Sequence, residues 1–411
     1  MMRAELDLLE CPFCGTALDV VENDARAWEG DNLAWGVLGC QCCAFPVVDG
    51  IPVLIADDRT RSAMRAMEEG RRDDALASML GLDAPRAAAL QELLRRTPPA
   101  TYREALEAIS PDAEGTYFVY RPSDPTFVIA ETLLRALGGE RRRTTRVIDV
   151  CGGSGHLTRV LAELSNAPAV VADVFYWKIW LAQRFTAPGC TAVCCDANHP
   201  LPFRSGAFSM VVLSDAFPYI WHKRLLAGEM MRLAEPSGLI VMPHLHSSLA
   251  FNFSAGMTLT PAAYRDLFEP YRPRLFRDSD LLNDVLAHTA IDLSRDVSPE
   301  QAGDEPSVTL VASPDAGVFQ PHPIGGVGAV AGELRVNPLY RVAQDGPTAV
   351  LTLSFPTPEY EEEFGGARRY LPDTLTLEAD LRGRLQPEQF GTAFADLRRR
   401  RVLIDAPPRY Y

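Results

Sequence analysis

The sequence predicts an α/β fold: a parallel sheet covered on both faces by helices. A small cysteine-bearing unit precedes it and a small α+β appendage follows. Three observations predict this. From about residue 125 to 313, short apolar strands alternate with helical stretches, the pattern of parallel strands joined by crossover helices. The cysteines near the N-terminus fall in local pairs. Beyond 314, glycine-rich and acidic stretches separate strand-like pieces. A length of 411 residues suits two or three units at roughly 100–200 residues each.

Taken in order, residues 1–56 form the cysteine unit and 57–124 a helical linker or cap. There Leu90, Leu93 and Leu94 recur at helical spacing before Thr97-Pro98-Pro99 interrupts them. Residues 125–313 carry the main sheet. Arg146–Val150, Ala169–Ala172, Thr191–Cys194, Phe208–Leu213 and Leu239–Met242 read as its strands. Leu157–Leu164, the aromatic stretch Phe175–Phe185 and Leu225–Ala234 read as its helices. Residues 306–312 suit an antiparallel strand that closes the sheet. In the appendage, 314–411, Val350–Phe355, Leu375–Glu378 and Arg401–Ile404 read as strands. Arg141–Arg143 and Arg398–Arg401 read as solvated charge at element ends.

The net charge is −14, with 54 acidic against 40 basic residues. Such a chain is repelled by phosphate backbones, which disfavours nucleic acid as a partner. Lys178 and Lys223 are the only lysines, and that skew, with abundant Ala and Pro, points to a GC-rich bacterial coding sequence. Met1 to Asp7 carries acids where a secretory leader has an apolar run, and no apolar stretch reaches the ~18 residues of a membrane span. The nine cysteines, an odd number, cluster by local pairs, which suits a reducing cytoplasm and metal binding rather than a disulfide framework. The oligomeric state is not legible.

Cys11-Pro-Phe-Cys14 and Cys40-Gln-Cys-Cys43 each set two thiols two residues apart. Two such knuckles complete a tetrahedron around one Zn²⁺, with Cys11, Cys14, Cys40 and Cys43 as ligands and Cys42 left over. Four thiolates leave no open position, so the expected role is structural. Residues 1–56 hold nine acids against Arg3 and Arg26, a poor surface for phosphates. With the knuckles, the run Phe45-Pro-Val-Val-Asp-Gly-Ile-Pro-Val-Leu-Ile55 resembles the zinc-ribbon family of the small activator subunit of tRNA and protein methyltransferases. That resemblance covers about residues 8–56. It implies a module that packs on a methyltransferase and stabilises it.

Val147-Ile-Asp-Val-Cys-Gly-Gly-Ser-Gly155 ends a strand on an acid and opens a helix through a glycine-rich turn. Glycines let the backbone approach a nucleoside, and a helix N-terminus offers free N–H groups. In dinucleotide sites the decisive acid follows the glycines by about 20 residues; here Asp149 precedes them. Asp173 ends the next strand, Asp196 follows the third, and Ser214 follows the fourth. This series resembles the class I, Rossmann-like S-adenosylmethionine methyltransferases over about residues 140–245, especially their small-molecule branch. The resemblance implies a seven-stranded sheet. It also implies that Asp149, Gly153 and Gly155 line the methionine and ribose side, and that Asp173 accepts the ribose hydroxyls. Asp196, with Ala197, would meet the adenine, and Ser214 would lie near the sulfonium. Cys151 stands where the family usually has glycine. Arg121, in Thr116-Tyr-Phe-Val-Tyr-Arg121, is a candidate to meet the cofactor carboxylate.

For the acceptor side, the segments Ser214–His222 and Pro243–Ser248 follow strand ends, where ligands bind in such sheets. His244 and His246, then His222, are the candidate bases. A metal on His244 and His246 lacks an evident third ligand in the sequence. The expected activity is methyl transfer from S-adenosyl-L-methionine to a small molecule, at oxygen or nitrogen. The alternatives are an RNA or protein methyltransferase with its activator fused in cis, and a non-catalytic scaffold with a relict fold.

Overall fold

The structure, a computed structural model, describes residues 1–110, 113–140, 146–326 and 328–411. The charged run Arg141–Arg143 lies outside the described residues. The main sheet comprises β1 (Val147–Val150), β2 (Val170–Asp173), β3 (Thr191–Cys194), β4 (Phe208–Val212), β5 (Ala234–His246), β6 (Pro273–Arg277) and β7 (Ser307–Ala312). Their spatial order is 3-2-1-4-5-7-6. Strands β1 to β5 pair in parallel, and β7 runs antiparallel to both β5 and β6. Every residue of β1, β2 and β3 is buried, as expected for strands covered on both faces. Helices α1 (Pro125–Glu140), α2 (His156–Leu164), α3 (Tyr176–Leu181), α4 (Lys223–Leu233) and α5 (Asp278–Ala287) belong to this layer.

Three differences from the sequence reading have physical reasons. The strand at 307–312 does not close the sheet; it inserts between β5 and an edge strand, Pro273–Arg277, that was not anticipated. Only Leu275 and Phe276 of that strand are buried, so its apolar pattern is weak. The aromatic helix expected over 175–185 ends at Leu181 and continues as a π turn, Ala182–Thr186. Strand β5 runs to His246 through an irregularity between Met242 and Leu245 in its pairing with β7. That irregularity presents the end of the strand to the functional site.

The N-terminal unit is a five-stranded antiparallel sheet over Asp19–Pro52. It docks on the outer edge of β3. Val53 bridges Cys194 in parallel, and Leu54 N–H donates to the Cys194 carbonyl at 2.8 Å. Leu9 bridges Phe203 beside it. The edge is thereby covered instead of left open to other chains. Leu8, Leu9, Phe45 and Val47 share one apolar core with Ile148, Val170 and Phe203 of the main layer. The helices at 58–109 pack with Ile179 and Trp180 of α3. On the opposite face, Leu334, Tyr360, Phe364 and Leu403 of the C-terminal segment share a core with Phe127, Leu133 and Leu161 of α1 and α2. Arg401 pairs with Glu131 at 2.5 Å across that contact.

Candidate active site

Strand order reverses between β1 and β4, and ligands in open α/β sheets bind outside the carboxyl ends at such a switch point. A cavity of about 560 Å³ opens there. The turn after β1 forms its floor. Cys151, Gly153 and Gly155 all hold left-handed backbone, with φ of 56°, 54° and 80°. Gly152 was not singled out in the sequence, yet it is the most constrained. A Cβ there would stand 2.6 Å from the Asp149 carboxyl carbon and 2.8 Å from Val171. Cys151 and Gly153 line the cavity. Gly155 does not; a Cβ there would meet Ala182 Cβ at 2.7 Å, so its role is close packing of α2 on the π turn.

Asp149, Asp173, Asp196, Ala197 and Ser214 all line the cavity, brought together from four strand ends. Asp149 accepts from Thr158 Oγ1 at 2.7 Å. Burial, and secondarily the charge of Asp173, push its carboxyl up to about 7. Asp173 accepts from Gly153 N–H at 3.0 Å and from Phe175 N–H at 2.9 Å, and burial raises its carboxyl as well. Those bonds hold both carboxylate oxygens in place at the cavity wall. Asp196 is braced by the backbone and side-chain amides of Asn198, at 2.9 and 3.0 Å. Ser214 Oγ is buried with no hydrogen-bond partner among the described residues. An orphaned hydroxyl in a cavity wall fits a place where a polar ligand binds.

The other end of the cavity is built from the strand ends of β4 and β5. Asp215 (φ 60°) and His244 (φ 59°) hold left-handed backbone that turns their side chains together. His246 Nε2 lies 3.2 Å from Asp215 Oδ1, and Tyr117 Oη donates to Asp215 Oδ2 at 3.3 Å. His244 Nδ1 lies 2.9 Å from Asp278 Oδ2, and Thr309 Oγ1 donates to Asp278 Oδ1 at 2.7 Å. The two imidazoles stand edge to face with centroids 4.6 Å apart. Burial opposes charge on His244, but the bond to Asp278 and the charge of Asp215 outweigh it, so its pKa rises. Glu363, from the C-terminal segment, lines the same end. Burial and Asp215 push its carboxyl up to about 7.

Two expectations are corrected and a third is narrowed: His244 is not among the residues that line the cavity and packs edge to face on His246, which is. His222 does not line the cavity: its ring is exposed, with Nδ1 held 2.9 Å from the Asn198 carbonyl at the start of α4. Arg121 lines the cavity, but its Nη1 is already committed inside the protein. It is buried against Asp124, at 3.0 and 3.1 Å, with Thr126 at 2.5 Å. Tyr117 and Phe127 stack on it. Residues the sequence did not expose complete the walls. His156 stacks on Phe118 and bonds to Tyr410; burial, with Arg121 and Arg159 nearby, drops its pKa to about 3. Lys178 pairs with Glu114 between Phe118, Phe175 and Trp177. Asp215 sits beside Ser214 in a segment already marked as a candidate. Asp278, 34 residues from His244, carries no local signal.

In the N-terminal unit the cysteine sulfurs converge. Cys14 Sγ stands 3.6 Å from Cys40 Sγ, which stands 3.7 Å from Cys42 Sγ; Cys42 and Cys43 are 3.8 Å apart. Thiolates at ~2.3 Å around one tetrahedral zinc lie about 3.8 Å from each other, so the donor set fits. Gly15 takes φ 68°, and Gly15 N–H donates to the Cys11 carbonyl at 2.8 Å, which closes the first knuckle. Cys43 N–H donates to Cys40 Sγ at 3.2 Å and closes the second. Cys42, set aside in the sequence, joins the cluster: Cys14 groups with Cys40 and Cys42, and Cys11 with Cys40 and Cys43.

Residues 147–238 match the family model of a methyltransferase domain. No curated protein matches the chain. Among solved structures, the chain is similar to one from a complex of the Haloferax volcanii Trm112 methyltransferase activator with a methyltransferase. That match has 16% identity over 44% of this chain and 88% of the other, with a TM-score of 0.33. It is similar to Haemonchus contortus phosphoethanolamine N-methyltransferase 2 in complex with S-adenosyl-L-methionine, at 13% identity over 53% and 60%, TM-score 0.36. A third is the YcgJ protein of Bacillus subtilis, at 13% identity over 44% and 99%, TM-score 0.32. Among the described residues, no helix is long and apolar enough to cross a membrane.

Proposed function

We propose that this class I S-adenosylmethionine-dependent methyltransferase acts on a small molecule that presents a protonated oxygen or nitrogen. The observation that carries the reading is the acceptor end of the cavity. Asp215, His246 and Glu363 line it, in a cavity of about 560 Å³, a size that suits a small ligand. These carboxylates disfavour a phosphate backbone, and the formal charge of −14 acts in the same direction. Exposed Tyr219, Trp221, Phe251 and Phe253 lie on the two segments that border the cavity mouth, which favours an acceptor with an apolar body.

The cofactor supplies a methyl carbon activated by a positive sulfur. Asp173 orients the ribose, Asp196 and Ala197 the adenine end, and Ser214 lies beside the reacting centre. The chain's work is to hold the acceptor heteroatom in line at near-attack distance and exclude water. The acceptor's lone pair forms the new bond to carbon, the carbon–sulfur pair stays on sulfur, and the acceptor proton leaves toward the Asp215–His244–His246 group. We further propose one structural Zn²⁺ on the cysteine cluster, in a module spanning residues 1–56. The module would act in cis as a stabilising partner of the catalytic layer (residues 125–313). Residues 57–124 would serve as a cap, and 314–411 would close the acceptor side through Glu363.

Calorimetry tests the cofactor reading. Wild-type protein should bind S-adenosylmethionine, and Asp173→Ala should weaken binding by about 1–3 kcal/mol, the scale of a lost charge-assisted bond. Absence of binding, or equal affinity in the variant, refutes it. Methyl transfer from labelled cofactor to RNA or protein, with none to small-molecule pools, would favour the reading in which the module is an activator fused to a macromolecule methyltransferase.

A further inference from the structure

We infer that Asp215, His244 and His246 form a binding site for one first-row divalent cation at the acceptor end of the cavity. This deepens the reading of that end as the place where the acceptor binds, and rests on it.

Four observations carry it. Ligand atoms of the three residues lie within 4.8 Å of one another, the only such group among the described residues outside the cysteine cluster. The spacing suits coordination. Adjacent donors at ~2.1 Å from a metal stand about 3 Å apart, and His246 Nε2 is 3.2 Å from Asp215 Oδ1. His244 also has the outer partner that ligating histidines nearly always have: its Nδ1 meets Asp278, leaving Nε2 for the metal. Asp278 is itself fixed by Thr309, so the imidazole is oriented in advance. Finally, the groups gathered there suit a cation. The Asp215, Asp278 and Glu363 carboxyls stand around the two imidazoles, and the Arg121 guanidinium nearby is paired through Nη1 with Asp124.

Two imidazoles and one carboxylate suit manganese, iron, cobalt or zinc better than magnesium or calcium, which prefer oxygen donors throughout. Three protein ligands leave positions open toward the cavity. The acceptor class that fits is one with two adjacent oxygens able to chelate, such as a vicinal diol, a catechol or a hydroxy acid. In this arrangement the imidazoles hold the cation and take no proton, so the acceptor proton leaves to the Glu363 carboxylate at the same end of the cavity, and Asp278 is a positioning residue acting through His244.

The test uses full-length protein with zinc already bound to the cysteine module, and Mn²⁺ alone as the probe. Manganese is the weakest of the series and does not displace thiolate-bound zinc. Electron paramagnetic resonance should show one Mn²⁺ bound per chain, with hyperfine coupling to histidine nitrogen. His246→Ala and Asp215→Asn should each weaken uptake about 100-fold, and Asp278→Asn by about 10–100-fold, with Asp278→Glu recovering part of it. S-adenosylmethionine affinity, measured on the same samples, should hold in all four and certify their folding. If a variant unfolds, the nitrogen coupling in the wild type still decides. Bound Mn²⁺ without nitrogen coupling, or no uptake of either Mn²⁺ or Co²⁺ by the zinc-loaded wild type, overturns the inference. Intact cofactor binding in that case leaves the methyltransferase reading standing.

Discussion

Trp180 Nε1 donates a hydrogen bond of 2.8 Å to Asp49 Oδ2, joining α3 of the catalytic layer to the Val-Asp-Gly turn of the N-terminal module. The neighbouring Tyr176 Oη donates to the Val48 carbonyl at 2.9 Å, and Arg184 pairs with Asp49. Helix α3 also carries Lys178, and Phe175 caps its start; both line the cavity at the strand ends. The module therefore braces the cavity wall. Asp49→Ala strands a buried indole N–H and should cost about 1–3 kcal/mol of stability. Asp49→Asn keeps an acceptor and tolerates the turn's φ of 48°, so it should cost less. Denaturant titration measures both; equal stability in wild type and Asp49→Ala would remove the coupling.

The cysteine cluster offers five sulfurs for four positions. Cys43 donates its N–H to Cys40 Sγ, is half-buried and groups with Cys11; Cys42 is exposed. Elemental analysis should therefore find one zinc per chain in wild type and in Cys42→Ser. Cys40→Ser should lose the metal and unfold the module, since binding and folding are coupled in such small units. Zinc loss in Cys42→Ser with retention in Cys43→Ser would exchange the roles of the two.

Much of this site was legible because it depends on local pattern. Glycine turns, strand-end acids and paired cysteines each leave a mark within a few residues, and Asp149, Asp173, Asp196 and Ser214 do converge on one cavity. What was missed depends on distance along the chain. Asp278 reaches His244 only because β6 lies two strands from β5 in the sheet and α5 begins where β6 ends. Glu363 arrives from the appendage by packing alone. Arg121 does reach the cavity, but Asp124, three residues on, already pairs with its Nη1, a contact the sequence reading did not weigh. His222 misled for a similar reason: it follows the right strand but lies beyond the turn that faces the cavity.

Cys151 holds φ 56° without being glycine. Left-handed backbone costs a residue with a Cβ roughly 1–2 kcal/mol, and glycine returns part of that through its freer unfolded chain. Cys151→Gly should thus stabilise the protein by up to about 1 kcal/mol, and Cys151→Val, branched at Cβ, should destabilise it. The thiol also lines the cavity, so the glycine variant should bind S-adenosylmethionine at least as tightly. Denaturant midpoints and calorimetry on the two variants check this. A destabilised Cys151→Gly would mean that the thiol's packing outweighs the backbone strain.

Asp149 should give the fold a specific pH dependence. Its carboxyl rises from the ordinary 3.8 to about 7 because burial, aided by Asp173, disfavours the charged form. The folded state therefore holds a proton that the unfolded chain releases near pH 4. The stabilisation is full below the unfolded value and is lost as pH rises through the folded one, so the window runs from about pH 4 to about 7. At about 1.4 kcal/mol per unit, the loss amounts to roughly 4 kcal/mol at most. Asp149→Asn cannot ionise and should lack this term. It should match the wild type in stability near pH 3, below the unfolded value, and exceed it near pH 8. Urea titrations of both proteins at the two pH values measure the difference. The same gap at both would show that Asp149 is ionised throughout, held by Thr158 Oγ1 strongly enough to offset its burial.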